Sequence, residues 1–249
     1  MKSLFGKKIK RIENRFFTYV NKKIRKRFYT QFIGKNEIVF DIGANHGNRS
    51  AVFSKICKKV IAVEANPVLA EKLSQKFKKN VIVVSKAVGN TSGEIDLFIN
   101  KSDVLSTISP EWITKVKETE RFGELSDSFT KKVKVKMVTL NDLIKEYGIP
   151  AFVKIDVEGV EYDIIKTMDS ACVKGLSCEF TIPESRQNTI SIIEHLNEIG
   201  YNYFNVSFGE SMEFLSTQHI SVEKMLRVIN SLPDTSWGDI YAFSKLREI

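Results

Sequence analysis

The sequence predicts an α/β protein built on a mostly parallel, Rossmann-like sheet with helices on both faces. Three observations carry that prediction. Short apolar runs of strand length alternate with helix-period segments along most of the chain, the pattern of strands joined by helical crossovers. The first run ends in an acid and opens into a glycine-containing turn, Asp41-Ile-Gly-Ala-Asn-His-Gly47. The second ends in another acid, Glu64, twenty-three residues later.

The elements follow in order. The first thirty residues predict one long amphipathic helix, because Phe5, Ile9, Ile12, Phe16, Val20, Ile24 and Phe28 recur in three- and four-residue steps. Gly34 is expected to stop it in the left-handed conformation. Strands are then predicted over Glu37–Asp41, Val60–Glu64, Val81–Val84 and Glu94–Ile99, with helices over Arg49–Cys57 and from Pro67 to about Lys78. Proline suits the first turn of the latter helix. Residues 101–130 have weak periodicity and read as an insertion with a short helix. Lys132–Val138 alternates as a half-exposed strand does. Thr139 caps a helix through Tyr147, ended by Gly148 and Pro150. Strands over Phe152–Asp156, Leu176–Ile182, Tyr201–Val206 and Ile240–Ser244, with helices over Val160–Met168, Thr189–Ile199 and Val222–Ser231, complete the series. With no repeat and no low-complexity linker, residues 36–249 are expected to form one domain behind a basic helix at 1–35.

Composition narrows the class. The 249 residues are 43% hydrophobic and 27% charged, which excludes a disordered or collagen-like chain, and no apolar stretch has the length of a membrane span. The net charge of +8 is local: residues 1–35 hold twelve of the 38 basic residues and one of the 30 acids, leaving 26 against 29 for the remainder. The basic charge therefore belongs to the N-terminal segment. That segment has three readings: a cover for the domain, a peripheral contact with an anionic membrane surface, or a docking face for a protein. Nucleic acid is not an expected partner, since no basic–aromatic stripe continues onto the body. Cys57, Cys172 and Cys178 form no CxxC pair, and His46, His195 and His219 sit at no ligand spacing. A disulfide scaffold and a Cys/His zinc site are not expected on that basis, and with no secretory signal a cytoplasmic location is expected.

The chemistry concentrates in a few stretches. Gly43 and Gly47 let the backbone approach a ligand closely, and Glu64 stands where α/β sheets present an acid to ribose hydroxyls. Strand, acid, glycine loop, helix, strand and acid in succession predict a nucleoside-type ligand. A dinucleotide requires the full G-x-G-x-x-G for its pyrophosphate. Here Asp41 immediately precedes the loop, where it repels pyrophosphate and suits a cationic amino-acid group. That favours S-adenosyl-L-methionine over NAD.

Asp41–Gly47, Val63-Glu-Ala-Asn-Pro67 and Lys154-Ile-Asp-Val-Glu-Gly-Val-Glu161 together resemble the FkbM-type S-adenosylmethionine-dependent methyltransferases. Ala87–Glu94 and Thr139–Leu143 fit the same pattern. The resemblance covers roughly residues 36–182 and implies a class I methyltransferase fold with a seven-stranded sheet. It also implies methylation of hydroxyl groups, most often on sugars, glycolipids or polyketides, so the expected partner is a hydroxyl-bearing saccharide acceptor. Carried over, it implies that Asp41, Gly43, Ala44, Asn45 and Gly47 line the methionine end of the cofactor. Glu64 would bind the ribose, with Ala65 and Asn66 beside it, and Ser85, Lys86 and Ala87 would border the adenine. His46 and residues 1–35 depart from the family pattern; His46 is either a substrate-side base or a bystander.

Asp156 ends a strand on the same sheet edge as Asp41 and Glu64, so the three acids are expected in one crevice. Asp156 or Glu158 would orient the acceptor hydroxyl or take its proton, with Glu179 a third acid on the acceptor side. Capping and dipole compensation at a helix N-terminus also account for acids here. Such acids offer oxygen ligands to a divalent cation, but nothing in their spacing demands one and no metal is expected. Residues 103–107, Arg121, Phe122 and Trp237 are further acceptor contacts, or ordinary loop residues. Two other functions remain open from sequence: an NAD(P)-dependent oxidoreductase, and a methyltransferase-like protein that binds cofactor without turnover.

Overall fold

The computed structural model describes residues 20–102 and 105–246. The apolar positions Phe5 to Phe16 and half of the twelve basic residues of the N-terminal run lie outside the described residues. Helix α1 covers residues 20–29. Then follow β1 (Ile38–Ile42), α2 (Asn48–Phe53), β2 (Lys59–Val63), α3 (Pro67–Lys76), β3 (Val81–Val84), β4 (Ala87–Val88), β5 (Gly93–Asn100) and α4 (Pro110–Thr119). After a 3-10 turn at Gly123–Asp127 come β6 (Phe129–Val138), α5 (Leu140–Tyr147), β7 (Phe152–Ile155), α6 (Glu161–Ile165), β8 (Gly175–Thr181), α7 (Arg186–Glu198), β9 (Tyr203–Phe208), α8 (Val222–Ser231) and β10 (Trp237–Phe243).

Seven strands form the main sheet in the order β3-β2-β1-β7-β8-β10-β9. All are parallel except β10, which runs antiparallel to both β8 and β9. The chain winds outward from β1 to β3 and then restarts at β7 on the other side of β1. The carboxyl ends of β1 and β7 thus bracket the switch point where open α/β sheets bind ligands.

One sheet face is packed by α5 to α8 on Phe40, Ile42, Ile61, Val153, Ile155, Leu176 and Cys178. The other is covered by residues 28–33 and α2, whose Phe28, Tyr29, Ile33, Val52 and Phe53 pack on Val39, Val60, Phe152, Tyr241 and Phe243. Alternate residues of each strand therefore feed two cores, as the pleat requires. Around Phe28 the rings of Tyr29, Phe32, Phe214 and Tyr241 pack edge-on, with centroids 4.8–5.5 Å apart, a geometry aromatic quadrupoles favour.

Two expectations for the N-terminal helix need correction. Of its described stripe, Phe28 is 2% exposed but Ile24 is 42% exposed; the face that packs is Phe28-Tyr29 with Phe32 and Ile33. The helix also ends at residue 29, in a turn closed by the Ile33 amide donating to the Tyr29 carbonyl at 2.9 Å. Gly34 is absent from the left-handed residues, and its N–H donates to Glu37 Oε2 at 2.6 Å. The stop comes from aromatic side chains turning into the core, which a stripe drawn at helical spacing does not register.

The strands predicted over 94–99 and 132–138 leave the main sheet. β5 and β6 pair antiparallel with each other, and β4 joins β6 in parallel, giving a three-stranded sheet in the order β4-β6-β5. Lys132, Lys134 and Lys136 face solvent while Val133, Val135 and Met137 pack inward on Ala87 and Leu97. The segment read as an insertion carries its own small core, Leu105, Trp112 and Val116. Helix α4 begins on a capped turn, with Ser109 Oγ accepting from the Trp112 amide at 3.1 Å and Pro110 opening the first turn. Thr139 and Asp142 form the reciprocal capping box of α5. No helix among the described residues is long and apolar enough to cross a membrane.

Candidate active site

A cavity of about 530 Å³ opens at the carboxyl edge of the main sheet, over the β1/β7 switch point and beneath the three-stranded sheet and residues 105–108. That size is ordinary for a small-molecule site. Its floor is made by the loops after β1, β2 and β7, and its roof by residues 105–108 with Arg121 and Phe122.

At one end the β1 loop doubles back tightly. Gly43 has φ +82°, and a Cβ there would lie 1.7 Å from the Asp156 carbonyl oxygen, so only glycine lets the β1 and β7 loops touch. Asn45 is also left-handed, at φ +50°. Its amide donates to Glu64 Oε2 at 2.7 Å, and the Asn66 amide donates to Glu64 Oε1 at 2.8 Å. Glu64 thereby ties the two loops together, and each oxygen keeps a further acceptor site. Burial pushes its carboxyl upward while these two amides oppose the rise. Asp41 is buried and accepts a short hydrogen bond from Ser50 Oγ; burial raises its carboxyl too, against the pull of Ser50 and Lys154.

Beside this loop, where Asp41 pairs with Lys154 across β1 and β7, acids gather around one cation. Lys154, 3% exposed, donates to Asp156 Oδ2 at 2.8 Å and Asp239 Oδ1 at 3.2 Å. Burial works against its charge, but the two carboxylates outweigh it and hold the ammonium well above its usual range. Burial likewise pushes Asp156 up, yet the Lys154 ammonium prevails and holds the carboxyl below its usual value. Glu158 and Glu179 have no such partner. Burial, then the Asp156 charge, drives both well above the normal carboxylate range. Asp156, Glu158 and Glu179 each present an oxygen within 4.8 Å of the others, a spacing at which one small cation or one hydroxyl meets all three.

Glu158 is held at φ +58°, and two contacts fix its loop. Thr107 Oγ1 donates to the Glu158 carbonyl at 2.6 Å, joining roof to floor. Glu161 gathers the loop amides, accepting from Val157 at 3.0 Å and Gly159 at 3.1 Å. A Cβ on Gly159 would lie 2.5 Å from the Trp112 ring, so α4 seats directly on this turn.

Of the residues singled out from sequence, Asp41, Gly43, Ala44, Asn45, Glu64, Ala65, Lys86, Ala87, Asp156, Glu158 and Glu179 line this one cavity. Gly47, Asn66 and Ser85 are not in its wall. Gly47 is left-handed at φ +73° where the chain enters α2, and a Cβ there would meet the Phe77 ring at 2.5 Å and Leu73 of α3 at 2.7 Å. Asn66 caps α3 by accepting from the Val68 amide at 3.0 Å, and Ser85 faces solvent. His46 and Trp237 also line the cavity. Arg121 does so too but is largely committed to Ile182 O at 2.6 Å and Glu184 at 3.3 Å. Sequence reading missed Lys154 and Arg49 in the wall, Asp239 behind it, and the Arg25–Glu210 pair at the rim. A signal existed for Lys154: a lone cation inside the apolar run Phe152–Ile155, two residues from Asp156, points the same way as that acid.

The strand order, with β10 reversed between two parallel neighbours, and a glycine-loop crevice with an acid ending each of the first two strands define a class I methyltransferase-type nucleoside site. The chain belongs to the FkbM methyltransferase family, matching the Methyltransferase FkbM domain over residues 41–221. No curated protein matches it. Among solved structures it is similar to precorrin-6y C5,15-methyltransferase of Geobacter metallireducens GS-15, at 14% identity and TM-score 0.47, covering 88% of this chain and 85% of that one. It is also similar to methyltransferase FkbM of Methylobacillus flagellatus KT, at 12% identity and TM-score 0.47; 84% of this chain is covered but 44% of that one. A third is a proposed methyltransferase of Streptococcus mutans in complex with SAH, at 12% identity and TM-score 0.41, covering 89% and 96%.

The family makes S-adenosyl-L-methionine the cofactor and sets the NAD(P)-dependent oxidoreductase aside. The donor set fits that cofactor: a carboxylate with spare acceptor sites at Glu64 for a diol, an acid at Asp41 for an ammonium, and an apolar slot of Ala65, Ala87, Val88 and Leu97 for a flat base. Ser106 Oγ, buried in the same wall without a partner, adds a polar atom for a ligand to satisfy.

Proposed function

We propose that the protein transfers a methyl group from S-adenosyl-L-methionine to a hydroxyl oxygen of a saccharide, free or carried on a lipid. The observation behind this reading is the convergence of Asp156, Glu158 and Glu179 in the wall of the same cavity as Glu64. A polyol offers several hydroxyls to such a cluster. Glu158 and Glu179, raised well above the usual carboxylate range, are the members of the cluster suited to donate to acceptor oxygens. Asp156, held ionised by Lys154, accepts the proton of the hydroxyl that attacks. Trp237, 43% exposed on the cavity wall, offers an apolar ring beside them.

The cofactor supplies an electrophilic methyl on sulfonium and a neutral thioether leaving group, so alignment accounts for much of the rate. Asp156 would take the hydroxyl proton, while the cofactor, held by the Asp41 and Glu64 loops, would supply the methyl to that oxygen and leave as the neutral thioether. The residues of the chain must hold the acceptor in line, keep water out beneath the roof, and take that proton. On this reading residues 1–35 bring the enzyme to an anionic membrane bearing lipid-linked glycan.

Methyl-labelled cofactor with an oligosaccharide panel tests the proposal, read as methyl ethers by mass spectrometry. Label in a sugar ether, reduced about 10²–10⁴-fold in Asp156→Asn if the proton transfer is rate-contributing, supports it. Label on nitrogen or carbon overturns the oxygen assignment. Cofactor binding without turnover on any acceptor favours a non-catalytic binding protein.

A further inference from the structure

The cavity has a basic corner that the reaction above does not use. Arg49, in the first turn of α2, lines the wall beside the Asp41–His46 loop. Its side chain is 11% exposed, and Nη2 donates to Glu210 Oε2 at 2.7 Å, while Nε is buried with no hydrogen-bond partner among the described residues. Arg25, from α1, reaches the same Glu210 oxygen at 3.1 Å and also lines the cavity. Two guanidinium groups thus face the single carboxylate of Glu210, itself 50% exposed, and Arg49 Nε remains a buried donor with no partner among the described residues, although a buried unsatisfied donor is costly. Asp41 lies close enough for the Arg49 charge to act on its carboxyl.

An acid and an arginine side by side, next to the loop expected to hold the methionine end of the cofactor, match the two charges of an α-amino acid. We propose that Arg49, assisted by Arg25 of the N-terminal helix, binds the cofactor's α-carboxylate, with Asp41 facing the α-ammonium. This makes α1, which precedes the family-matched residues 41–221, part of the cofactor site. The proposal rests on the cavity being the S-adenosylmethionine site. A carboxylate carried by the acceptor has the same chemistry, and the test separates the two sources.

Full-length protein is titrated calorimetrically with S-adenosylhomocysteine and with 5′-methylthioadenosine, which keeps the adenosine and thioether but lacks the amino-acid carboxylate and amine. Arg49→Gln should weaken S-adenosylhomocysteine by about 10–100-fold, the range of a lost charge-assisted hydrogen bond, and leave 5′-methylthioadenosine within about twofold. Arg25→Gln should do the same to a lesser degree, and Arg49→Lys should recover part of the loss. Unchanged S-adenosylhomocysteine affinity in a folded Arg49→Gln protein overturns the proposal and transfers the corner to the acceptor. Equal weakening of both ligands at unchanged melting temperature also overturns it. Should Arg49→Gln fail to fold, Arg25→Gln and Arg49→Lys carry the same comparison. If the unsubstituted protein binds neither ligand, the underlying site reading fails instead.

Discussion

Replacing Lys154 with methionine probes the site where folding and chemistry meet. The ammonium sits 2.8 Å from Asp156 and 3.2 Å from Asp239, with Lys154 3% and Asp239 6% exposed. Methionine matches its length but leaves two carboxylates without their cation. Breaking a buried pair by removing one partner costs about 3–5 kcal/mol. For a domain of this size each kcal/mol moves the melting temperature by about 2–4 °C, so a fall of roughly 6–20 °C is expected at neutral pH. The pH dependence has a fixed sign. Asp156 is held below its unfolded value by Lys154. Its contribution to stability is therefore complete above the unfolded pKa and lost as pH falls through the folded one. Acidification should destabilise the unsubstituted protein more than Lys154→Met. Thermal unfolding by circular dichroism at neutral pH and near about pH 3 measures both effects. Adding Asp156→Asn and Asp239→Asn to Lys154→Met should restore much of the loss, since no uncompensated charge then remains. A loss below about 1 kcal/mol for Lys154→Met, the scale of an exposed pair, would refute the reasoning.

Further outcomes follow from the same geometry. Gly43→Ala forces a Cβ to 1.7 Å from a backbone oxygen at φ +82°; it should cost at least the roughly 1–2 kcal/mol of the left-handed conformation and lower S-adenosylhomocysteine affinity, both read by ligand-dependent thermal shift. Glu161 is pushed up to about 7, burial being the largest cause. The stability its proton secures is present below the unfolded carboxylate pKa and lost as pH rises towards about 7. Glu161→Gln should flatten the fall in melting temperature across that window, and an unchanged slope would contradict the assignment. Thr107→Val removes the 2.6 Å tie to the Glu158 carbonyl. It should raise KM for the acceptor more than for the cofactor, which steady-state kinetics with each substrate varied in turn will show.

Much of this architecture is written in local patterns. The runs at 38–42, 59–63 and 152–155 are apolar because parallel strands are buried on both faces, and the caps at Asn66, Ser109 and Thr139 use short polar side chains at helix starts. The acids ending β1 and β2 and following β7 are legible for the same reason: each follows a strand, and parallel strands end on one edge. Long-range pairing is not legible in this way. That β5 pairs with β6 across some thirty residues, or that Arg25 reaches Glu210 185 positions away, depends on packing that no spacing records. Gly47 shows the converse limit. Its glycine is demanded by Leu73 of α3 and the Phe77 ring that follows it, and a glycine needed for packing looks the same in sequence as one needed for a ligand.

The central claim is tested most directly by a crystal structure of the full-length protein with S-adenosylhomocysteine. The account predicts the ribose hydroxyls on Glu64, the adenine between Ala65 and Ala87–Val88, and the sulfur directed towards Asp156, Glu158 and Glu179. A ligand bound outside the Asp41–Gly47 loop, or with its sulfur turned away from the three carboxylates, would contradict it.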